Sequence, residues 1–204
     1  EVVFDSVSFS YGKAEADLAD ISFCVKAGQT LGIIGPTGCG KTTLLRLLLR
    51  AYDPDKGRIL IGGRDLRSIP ADELHQMFGI VFQNDFLFDG TLWENIDFGR
   101  KLGEDRLVQA AKNAQAQFIR MRPGGLSGHI ASRGADLSGG QKQRVLLARA
   151  MAASPQILIL DDSSSALDYR TDAALRRALA SRFSSSTKII VAQRISAIRH
   201  ADCI

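Results

Sequence analysis

The sequence lacks several features that define other protein classes. Its longest apolar stretches, such as residues 157–160 and residues 44–49, which include Arg46, are far shorter than the roughly 20 residues that a helix needs to span a bilayer. The N-terminus has no charged-then-apolar signal peptide. Only 3 cysteines occur, without a CxxC pair, so neither a disulfide framework nor a zinc site is indicated. We therefore expect a chain of the reducing cytosol, with any membrane role supplied by a partner or by a segment outside this sequence.

Charge of one sign is not concentrated anywhere in the chain. The 26 basic and 22 acidic residues are interspersed, and the net charge of +4 arises without a long basic run. This favours a solvated surface of mixed charge, and we expect no nucleic-acid partner. The 204 residues, 45% of them hydrophobic, are enough for one globular domain with a sizeable core.

Strand patterns alternate with helix patterns along the chain, which predicts an α/β fold with a parallel sheet. Strands are predicted at 2–9, 21–25, 31–34, 58–61, 79–82, 157–160 and 188–192, and helices at 41–50, after Pro70, at 104–118, 138–151 and 168–183, and near the end. Because residues 91–152 have mainly helical patterns, we expect an inserted helical subdomain there. The core of this single domain, 1–204, would then comprise about 1–90 and 153–204.

A glycine-rich loop stands between a predicted strand and a predicted helix. Residues 35–42, GPTGCGKT, match the phosphate-binding pattern GxxxxGK[ST], which arises by chance in about 1% or less of chains of this size. Backbone N–H groups and the helix N-terminus of such a loop bind phosphate oxygens, while its lysine reaches the β and γ phosphates and its hydroxyl binds Mg²⁺. The expected nucleotide ligands are Gly35, Gly38, Cys39, Gly40, Lys41, Thr42 and Thr43, with Thr42 also a metal ligand and Lys41 also catalytic.

Two further side chains belong to this prediction. Asp161 ends the apolar run 157–160, and a carboxylate in that position is expected to be a second Mg²⁺ ligand when a phosphate-binding loop is present. Many core strands end in a polar residue, so the assignment depends on the loop. Cys39 lies among N–H groups that would favour a thiolate, which predicts sensitivity to alkylation; an inert small residue is the alternative.

A second motif, LSGGQ at 137–141, precedes the acidic strand, and the combination resembles the signature of ATP-binding cassette (ABC) proteins. Its S-x-x-Q pattern is also a capping box for the helix that begins there, and both interpretations can hold. The resemblance implies that Ser138, Gly139, Gly140 and Gln141 face the γ-phosphate of ATP bound by an opposite cassette. The active unit implied is a head-to-tail dimer with a second ABC cassette.

The resemblance covers essentially the whole chain, in the family's order. It implies a P-loop NTPase (RecA-like) core with an antiparallel β subdomain and a helical subdomain, and ATP and Mg²⁺ as cofactors. Tyr11 resembles the aromatic residue that stacks on adenine, although an ordinary edge-strand tyrosine is the alternative. Gln83 is similar to the glutamine that contacts Mg²⁺ or the attacking water. Asp168, in SALD, resembles the loop that communicates across the dimer, or else caps the next helix. Residues 90–96, GTLWENI, are similar to exporter cassettes.

Two positions depart from the family pattern at the expected catalytic centre. Asp162 stands where the family has a glutamate that orients or deprotonates water, and Gln193 stands where it has a histidine. A carboxylate one methylene shorter is expected to slow hydrolysis, since general-base placement contributes roughly 10²- to 10⁴-fold. Glutamine has no cationic form, so ATP binding should survive better than turnover. A lesser departure is Ser132, which precedes Arg133 where exporters commonly have an acidic residue and puts cross-talk with the transmembrane domain in doubt.

The resemblance implies the ATP-binding domain of an exporter, an ATPase on the cytoplasmic face of the cell membrane. Because the departures affect only the site on this chain's own P-loop, we expect a heterodimer in which a different cassette supplies the glutamate and histidine. A homodimer with slow hydrolysis, a soluble ABC ATPase and a regulatory module without a catalytic dimer are the alternatives. The transmembrane domain is expected on the same polypeptide or a separate one. We also expect a C-terminal truncation, because residue 204 begins a strand pattern.

Overall fold

The computed structural model describes residues 1–12 and 16–204. Their strands are β1 (Val2–Phe9), β2 (Leu18–Val25), β3 (Thr30–Ile33), β4 (Lys56–Ile61), β5 (Arg64–Asp65), β6 (Phe78–Val81), β7 (Gly90–Thr91), β8 (His129–Ile130), β9 (Ile157–Asp161) and β10 (Thr187–Val191). Their α-helices are α1 (Lys41–Leu48), α2 (Ala71–Gln76), α3 (Leu92–Asp97), α4 (Glu104–Asn113), α5 (Phe118–Met121), α6 (Gly139–Met151), α7 (Tyr169–Arg182) and α8 (Ile195–Ile198). Contacts divide the chain into a first unit, Glu1–Met77 with Ser185–Ile204, and a second unit, Phe78–Ser184.

The first unit contains the predicted antiparallel sheet. Strand β1 pairs antiparallel with β2 and β4, and β5 pairs with β4. The buried residues of β1 are Val2, Phe4, Val7 and Phe9, so the alternation shifts by one residue in the middle of the strand. Ser6 lies at that point with a left-handed φ of 51°, and the pairing register shifts there. A β-bulge thus keeps apolar side chains on one face along all of β1.

A parallel pair of strands completes the first unit. Strand β3 pairs parallel with β10, with Ile33 opposite Val191. Helix α1 follows β3 after the glycine-rich loop and buries Leu45, Leu47 and Leu48. It ends earlier than the predicted residue 50, because Arg50 has a left-handed φ of 54° that cannot continue a helix.

The second unit is built on another parallel pair, β6 and β9. All five residues of β9 are buried. Helix α6 packs against β6, α3 and α4. Gly79 of β6 permits this packing, since a Cβ there would lie 2.1 Å from the carbonyl oxygen of Ala150 on α6. The parallel and antiparallel sheets together confirm the predicted α/β class.

One predicted helix is wrong at its C-terminal end. Residues 104–118 do not form a continuous helix, because α4 ends at Asn113 and Gln115 adopts a left-handed φ of 59°. The chain turns there and begins the short α5 three residues later. The limits of the helical subdomain at 91 and 152 stay a prediction. Among the described residues, no helix combines the length and apolarity needed to cross a membrane.

Candidate functional site

The glycine-rich loop of the first unit has the geometry that phosphate binding requires. Gly40 is the N-cap residue of α1 and has φ 96°, a conformation that L side chains rarely adopt. A Cβ at Gly40 would approach Leu18 Cδ2 to 2.7 Å. Because glycine has no side chain to cap the helix, the N–H groups of the first turn are available to an anion, as the loop pattern predicts.

Lys41 lies on the inside of this loop. Its Nζ donates to the carbonyl oxygens of Gly35 and Pro36, both at 2.7 Å, and lies 3.6 Å from Cys39 Sγ. The ammonium group is therefore held inside the loop, where a positive charge suits a ligand of high negative charge. Thr42 is exposed, whereas Thr43 is 8% exposed. The side chain of Thr43 is hydrogen-bonded to Tyr11. Its contact with a nucleotide, which the loop pattern predicts, therefore stays a prediction.

Tyr11 belongs to an aromatic cluster that fixes the plane of its ring. It meets Phe9 and Tyr52 edge-to-face, with ring centroids 4.9 and 5.2 Å apart, and its hydroxyl accepts a hydrogen bond from Arg46 at 3.2 Å. Burial alone would raise the pKa of Tyr11, but hydrogen bonds with Thr43 and Arg46 outweigh it and hold the pKa below its ordinary value. The side chain is 36% exposed, so the ring is a preorganised surface on which a base can stack.

Gln193 lies at the same edge of the parallel pair as the glycine-rich loop. Ile33 is opposite Val191, and the N–H of Ala192 donates to the carbonyl of Ile33 at 3.0 Å. Gln193 therefore follows β10 as Gly35 follows β3, each two residues beyond the registered pair. Gln193 is exposed. The structure thus brings this predicted residue to the loop within the first unit.

The same register relation joins Gln83 to Asp162 in the second unit. Val81 of β6 is opposite Leu160 of β9, so both side chains stand two residues beyond the last registered pair. Asp161, the last residue of β9, is 8% exposed. Asp162 is half-buried and has φ 47°. The structure places these predicted residues together at the carboxyl ends of two parallel strands, where α/β proteins bind ligands.

The donor atoms of the predicted metal site suit Mg²⁺. Asp161 offers a carboxylate, Gln83 an amide oxygen and Thr42 a hydroxyl. All are oxygen ligands, which this hard cation prefers, and one or two protein oxygens with phosphate and water are its usual shell. Each of these residue types therefore suits Mg²⁺, and their binding of one ion together with ATP stays a proposal.

The signature segment forms the capping box that the sequence predicts. Ser138 Oγ accepts from the N–H of Gln141 at 3.3 Å, and Gln141 Oε1 accepts from the N–H of Ser138 at 2.9 Å. Ser138 and Gly139 are exposed at the start of α6. A 13-residue helix with this start presents its N–H groups and dipole to an anion outside the chain.

Asp168 caps helix α7, which confirms the structural alternative for this residue. Its Oδ1 accepts from the N–H of Thr171 at 2.9 Å and its Oδ2 from the Thr171 hydroxyl at 2.6 Å. These bonds, the side-chain bond first, hold the pKa of Asp168 below its ordinary value. Communication across a dimer by residues 165–168 stays a proposal.

A pocket of about 540 Å³ adjoins Gln83 in the second unit. Its lining includes Gln83, Phe86, Arg133, Lys142 and Leu146. The N–H of Arg133 donates to the carbonyl of Leu87 at 2.8 Å, so the segment that departs from the exporter pattern lies against the segment that follows Gln83. Phe86 is 62% exposed, so a large apolar side chain faces solvent at this pocket.

Sequence reasoning missed two residues of this unit. Arg149 is a charged residue in the apolar stretch RVLLARAM, and that placement is a signal for a buried, multiply bonded side chain. Gln143 has no such signal. It bonds residues 19 and 23 positions away, and only the folded chain brings them together.

Known proteins are similar to this chain over its whole length. The ABC transporter family profile matches residues 18–165. A probable multidrug resistance ABC transporter ATP-binding/permease protein of Bacillus subtilis is 45% identical over 208 residues, covering 100% of this chain and 35% of that protein. A beta-(1→2)glucan export ATP-binding/permease protein of Agrobacterium fabrum is 40% identical, again over 100% of this chain and 35% of its own length.

A solved structure of an ABC exporter is also similar to this chain. A bacterial Atm1-family ABC exporter with ATP bound superposes with a TM-score of 0.93 at 40% identity, covering 98% of this chain and 36% of that one. The chain thus spans about a third of the length of the relatives it matches. It belongs to the ABC transporter family and has the fold of an exporter's nucleotide-binding domain.

Proposed function

We propose that this chain binds Mg-ATP and hydrolyses it to drive an ABC exporter, and that its own ATP site turns over slowly. The observation that supports this most is the glycine-rich loop, where Lys41 Nζ is held by two loop carbonyls at 2.7 Å beside the free start of α1. Lys41 would reach the β and γ phosphates, the N–H groups at Gly38 and Gly40 would bind their oxygens, and Tyr11 would stack on adenine.

Thr42, Gln83 and Asp161 would hold Mg²⁺, which neutralises charge that develops on the phosphates. Asp162 would orient the attacking water and accept its proton, and Gln193 would donate a hydrogen bond to the γ-phosphate. The Asp162 carboxylate ends one methylene short of a glutamate, and its backbone is fixed in a left-handed conformation, so the chain has little freedom to bring it closer. This geometry supports slow hydrolysis at the chain's own site.

The start of α6 would serve a second cassette. Ser138, Gly139, Gly140 and Gln141 would bind the γ-phosphate of ATP held by the partner, in a head-to-tail dimer. Because this segment has its complete capping box while the chain's own site carries Asp162 and Gln193, we propose a heterodimer whose partner supplies the glutamate and histidine. Turnover would then occur mainly where the partner's P-loop meets Ser138 of this chain.

The pocket beside Gln83 would receive the transmembrane domain. Its wall offers an exposed apolar ring, Phe86, and two cations, Arg133 and Lys142, within one unit. A transmembrane partner with an apolar residue flanked by acidic ones would complement this lining. Because the pocket includes Gln83, nucleotide state and docking would be linked, and the chain would work at the cytoplasmic face of the membrane. The relatives named above are ATP-binding/permease proteins, which supports this partner over a soluble ATPase role.

The test is steady-state ATP hydrolysis by the complete transporter that contains this chain. Native protein is compared with Asp162→Glu, with Gln193→His and with both, while equilibrium binding of a fluorescent ATP analogue is measured for each. We expect the double variant to raise kcat at least 10-fold, since general-base placement is worth roughly 10²- to 10⁴-fold, with little change in affinity. Asp162→Asn is the matched control, because it removes the carboxylate without changing the length of the side chain.

Two results would contradict the proposal in different ways. If the native site turns over as fast as the repaired one, with this chain as the sole cassette, a competent homodimer replaces the heterodimer. If neither protein binds the analogue and Lys41→Ala changes nothing, the assignment of residues 35–42 to ATP is wrong.

A further inference from the structure

One side chain joins the signature helix to the segment that carries Asp162. Gln143 lies on α6, two residues after Gln141, and is half-buried. Its Nε2 donates to the carbonyl oxygen of Asp162 at 3.3 Å, and its Oε1 accepts from the N–H of Ala166 at 3.0 Å. The nitrogen and the oxygen of the Gln143 amide therefore both bond to one loop. They hold the backbone of that loop at Asp162 and at Ala166, four residues apart.

The carbonyl of Asp162 receives several hydrogen bonds. Besides Gln143, the hydroxyl of Ser165 donates to it at 3.1 Å and the N–H of Ser165 at 3.4 Å. The residue itself has φ 47°, a conformation that is unfavourable for a non-glycine residue and needs support from its surroundings. Of the side chains that donate to this oxygen, Ser165 belongs to the loop itself, and Gln143 comes from another element.

The start of α6 also touches this loop directly. A Cβ on Gly140 would lie 3.1 Å from the carbonyl oxygen of Ala166, closer than most such contacts. The helix N-terminus that carries Ser138 and the loop that carries Asp162 therefore cannot shift independently without breaking the Gln143 bonds or this contact.

We propose that Gln143 is a positioning residue, which sets the place of Asp162 and links it to the signature segment. This inference rests on the proposed function, in which Ser138 serves the partner's ATP and Asp162 serves the chain's own. A shift of α6 when Ser138 binds γ-phosphate would be passed through the Gln143 amide to the backbone at Asp162. One side chain would thus connect the two ATP sites to which this chain contributes.

The test uses Gln143→Met in the complete transporter that contains this chain. Methionine has similar length and helix propensity but makes neither hydrogen bond. The control is Gln109→Met on α4, which removes an exposed amide whose Nε2 donates to Asn113 Oδ1 at 2.9 Å, far from Asp162 in sequence. Each change is made in native, Asp162→Glu and Asp162→Asn backgrounds. ATP hydrolysis, ATP affinity and thermal stability are measured, together with hydrogen exchange of residues 160–168.

In the Asp162→Glu background, Gln143→Met is expected to lower the turnover gained at the chain's own site about 10- to 100-fold, with KM for ATP unchanged within about twofold, since small misplacements of a reacting group have effects of this size. In the Asp162→Asn background it should lower kcat no further, because the group that it positions is gone. Exchange at Ala166 should accelerate. Gln109→Met should change none of these quantities.

The proposal is overturned if kcat in the Asp162→Glu background is unaffected by Gln143→Met, if the same loss persists in Asp162→Asn, or if kcat and affinity fall together with stability. Exchange at Ala166 that stays slow would also overturn it, even in a protein that hydrolyses no ATP. Failure of the proposed function looks different: no variant would bind ATP, whereas here binding and turnover remain and only the effect of Gln143 is missing.

Discussion

The guanidinium group of Arg149 holds Asn95 at two points, donating to its backbone oxygen at 2.8 Å and to its side-chain oxygen at 3.0 Å. It also donates to the carbonyl of Phe86 at 3.0 Å and lies 3.6 Å from an Asp85 carboxylate oxygen. Arg149 is 7% and Asn95 0% exposed. Burial lowers the pKa of Arg149, and Asp85 opposes that effect. A planar cation with several fixed donors thus connects α6, α3 and the loop after Gln83.

Replacing Arg149 should destabilise the fold severely. Arg149→Met would remove the guanidinium donor from the backbone and side-chain oxygens of buried Asn95 and from the carbonyl of Phe86, although the N–H of Phe88 still donates to Asn95 Oδ1 at 3.1 Å. Losing a buried bond costs about 1–3 kcal/mol, so a total of about 3 kcal/mol or more is expected. Arg149→Lys should retain only part of the stability that Arg149→Met loses, because an ammonium group cannot reproduce the planar geometry of the guanidinium group. Urea unfolding measures the difference. Arg106→Met, at an exposed site of α4, should change stability by less than about 0.5 kcal/mol; equal midpoints for the two methionine variants would contradict the buried role.

Local sequence patterns predicted the secondary structure better than they predicted the side chains that hold the candidate site residues in place. The strand 2–9 matches β1, and the S-x-x-Q capping box at Ser138 is present, because both depend on neighbours in sequence. Helix 104–118 was too long, since nothing local marks the left-handed Gln115. Gln143 has long-range partners, and no periodicity or motif encodes such pairs. Motifs therefore predicted phosphate and metal ligands, whereas the side chains that hold these residues in place emerged only from packing.

The buried carboxylate of Asp97 should make stability depend on pH. It accepts from the N–H groups of Lys101 and Leu102 at 3.0 and 2.8 Å. Burial would raise the pKa of Asp97, but these bonds outweigh it and lower the pKa below the ordinary value. A lowered pKa in the folded state means that the stabilisation is complete above the unfolded pKa of about 4 and is lost as the pH falls through the folded pKa.

Asp97→Asn tests this directly, because asparagine retains only one acceptor oxygen. The variant should be less stable than the native protein by about 1–2 kcal/mol at pH 7, and the difference should shrink below about pH 4. Thermal unfolding between pH 3 and 7 measures it. Asp20→Asn, an exposed site in β2 with φ 49°, serves as control and should change the stability at pH 7 only slightly. A stability difference between Asp97→Asn and the native protein that widens in acid would contradict the lowered pKa of Asp97.

Two capping boxes in the second unit separate structural from functional effects. Thr91 Oγ1 accepts from the N–H of Glu94 at 3.1 Å, as Ser138 Oγ accepts from that of Gln141 at 3.3 Å. Thr91→Ala and Ser138→Ala should each cost about 1 kcal/mol of stability. Only Ser138→Ala should also reduce ATP hydrolysis at the partner's site, by about 10-fold or more, because a hydrogen bond to a charged phosphate is worth about 1.5–3 kcal/mol. Equal losses of activity in both variants would mean that Ser138 acts through helix stability alone.

Alkylation of Cys39 should abolish ATP binding by filling the phosphate cradle. The thiol is exposed and lies 3.6 Å from Lys41 Nζ, and a Cβ on Gly35 would come within 2.6 Å of its sulfur, so the loop has no spare room on that side. We therefore expect an N-ethylmaleimide adduct to project into the space that phosphate would occupy. In a Cys24→Ser, Cys203→Ser background, modification should follow at Cys39 alone, remove binding of a fluorescent ATP analogue and be slowed by Mg-ATP. Adding Cys39→Ala should make binding resistant to the reagent; a fully modified Cys39 protein that still binds ATP with unchanged affinity would place the phosphates elsewhere.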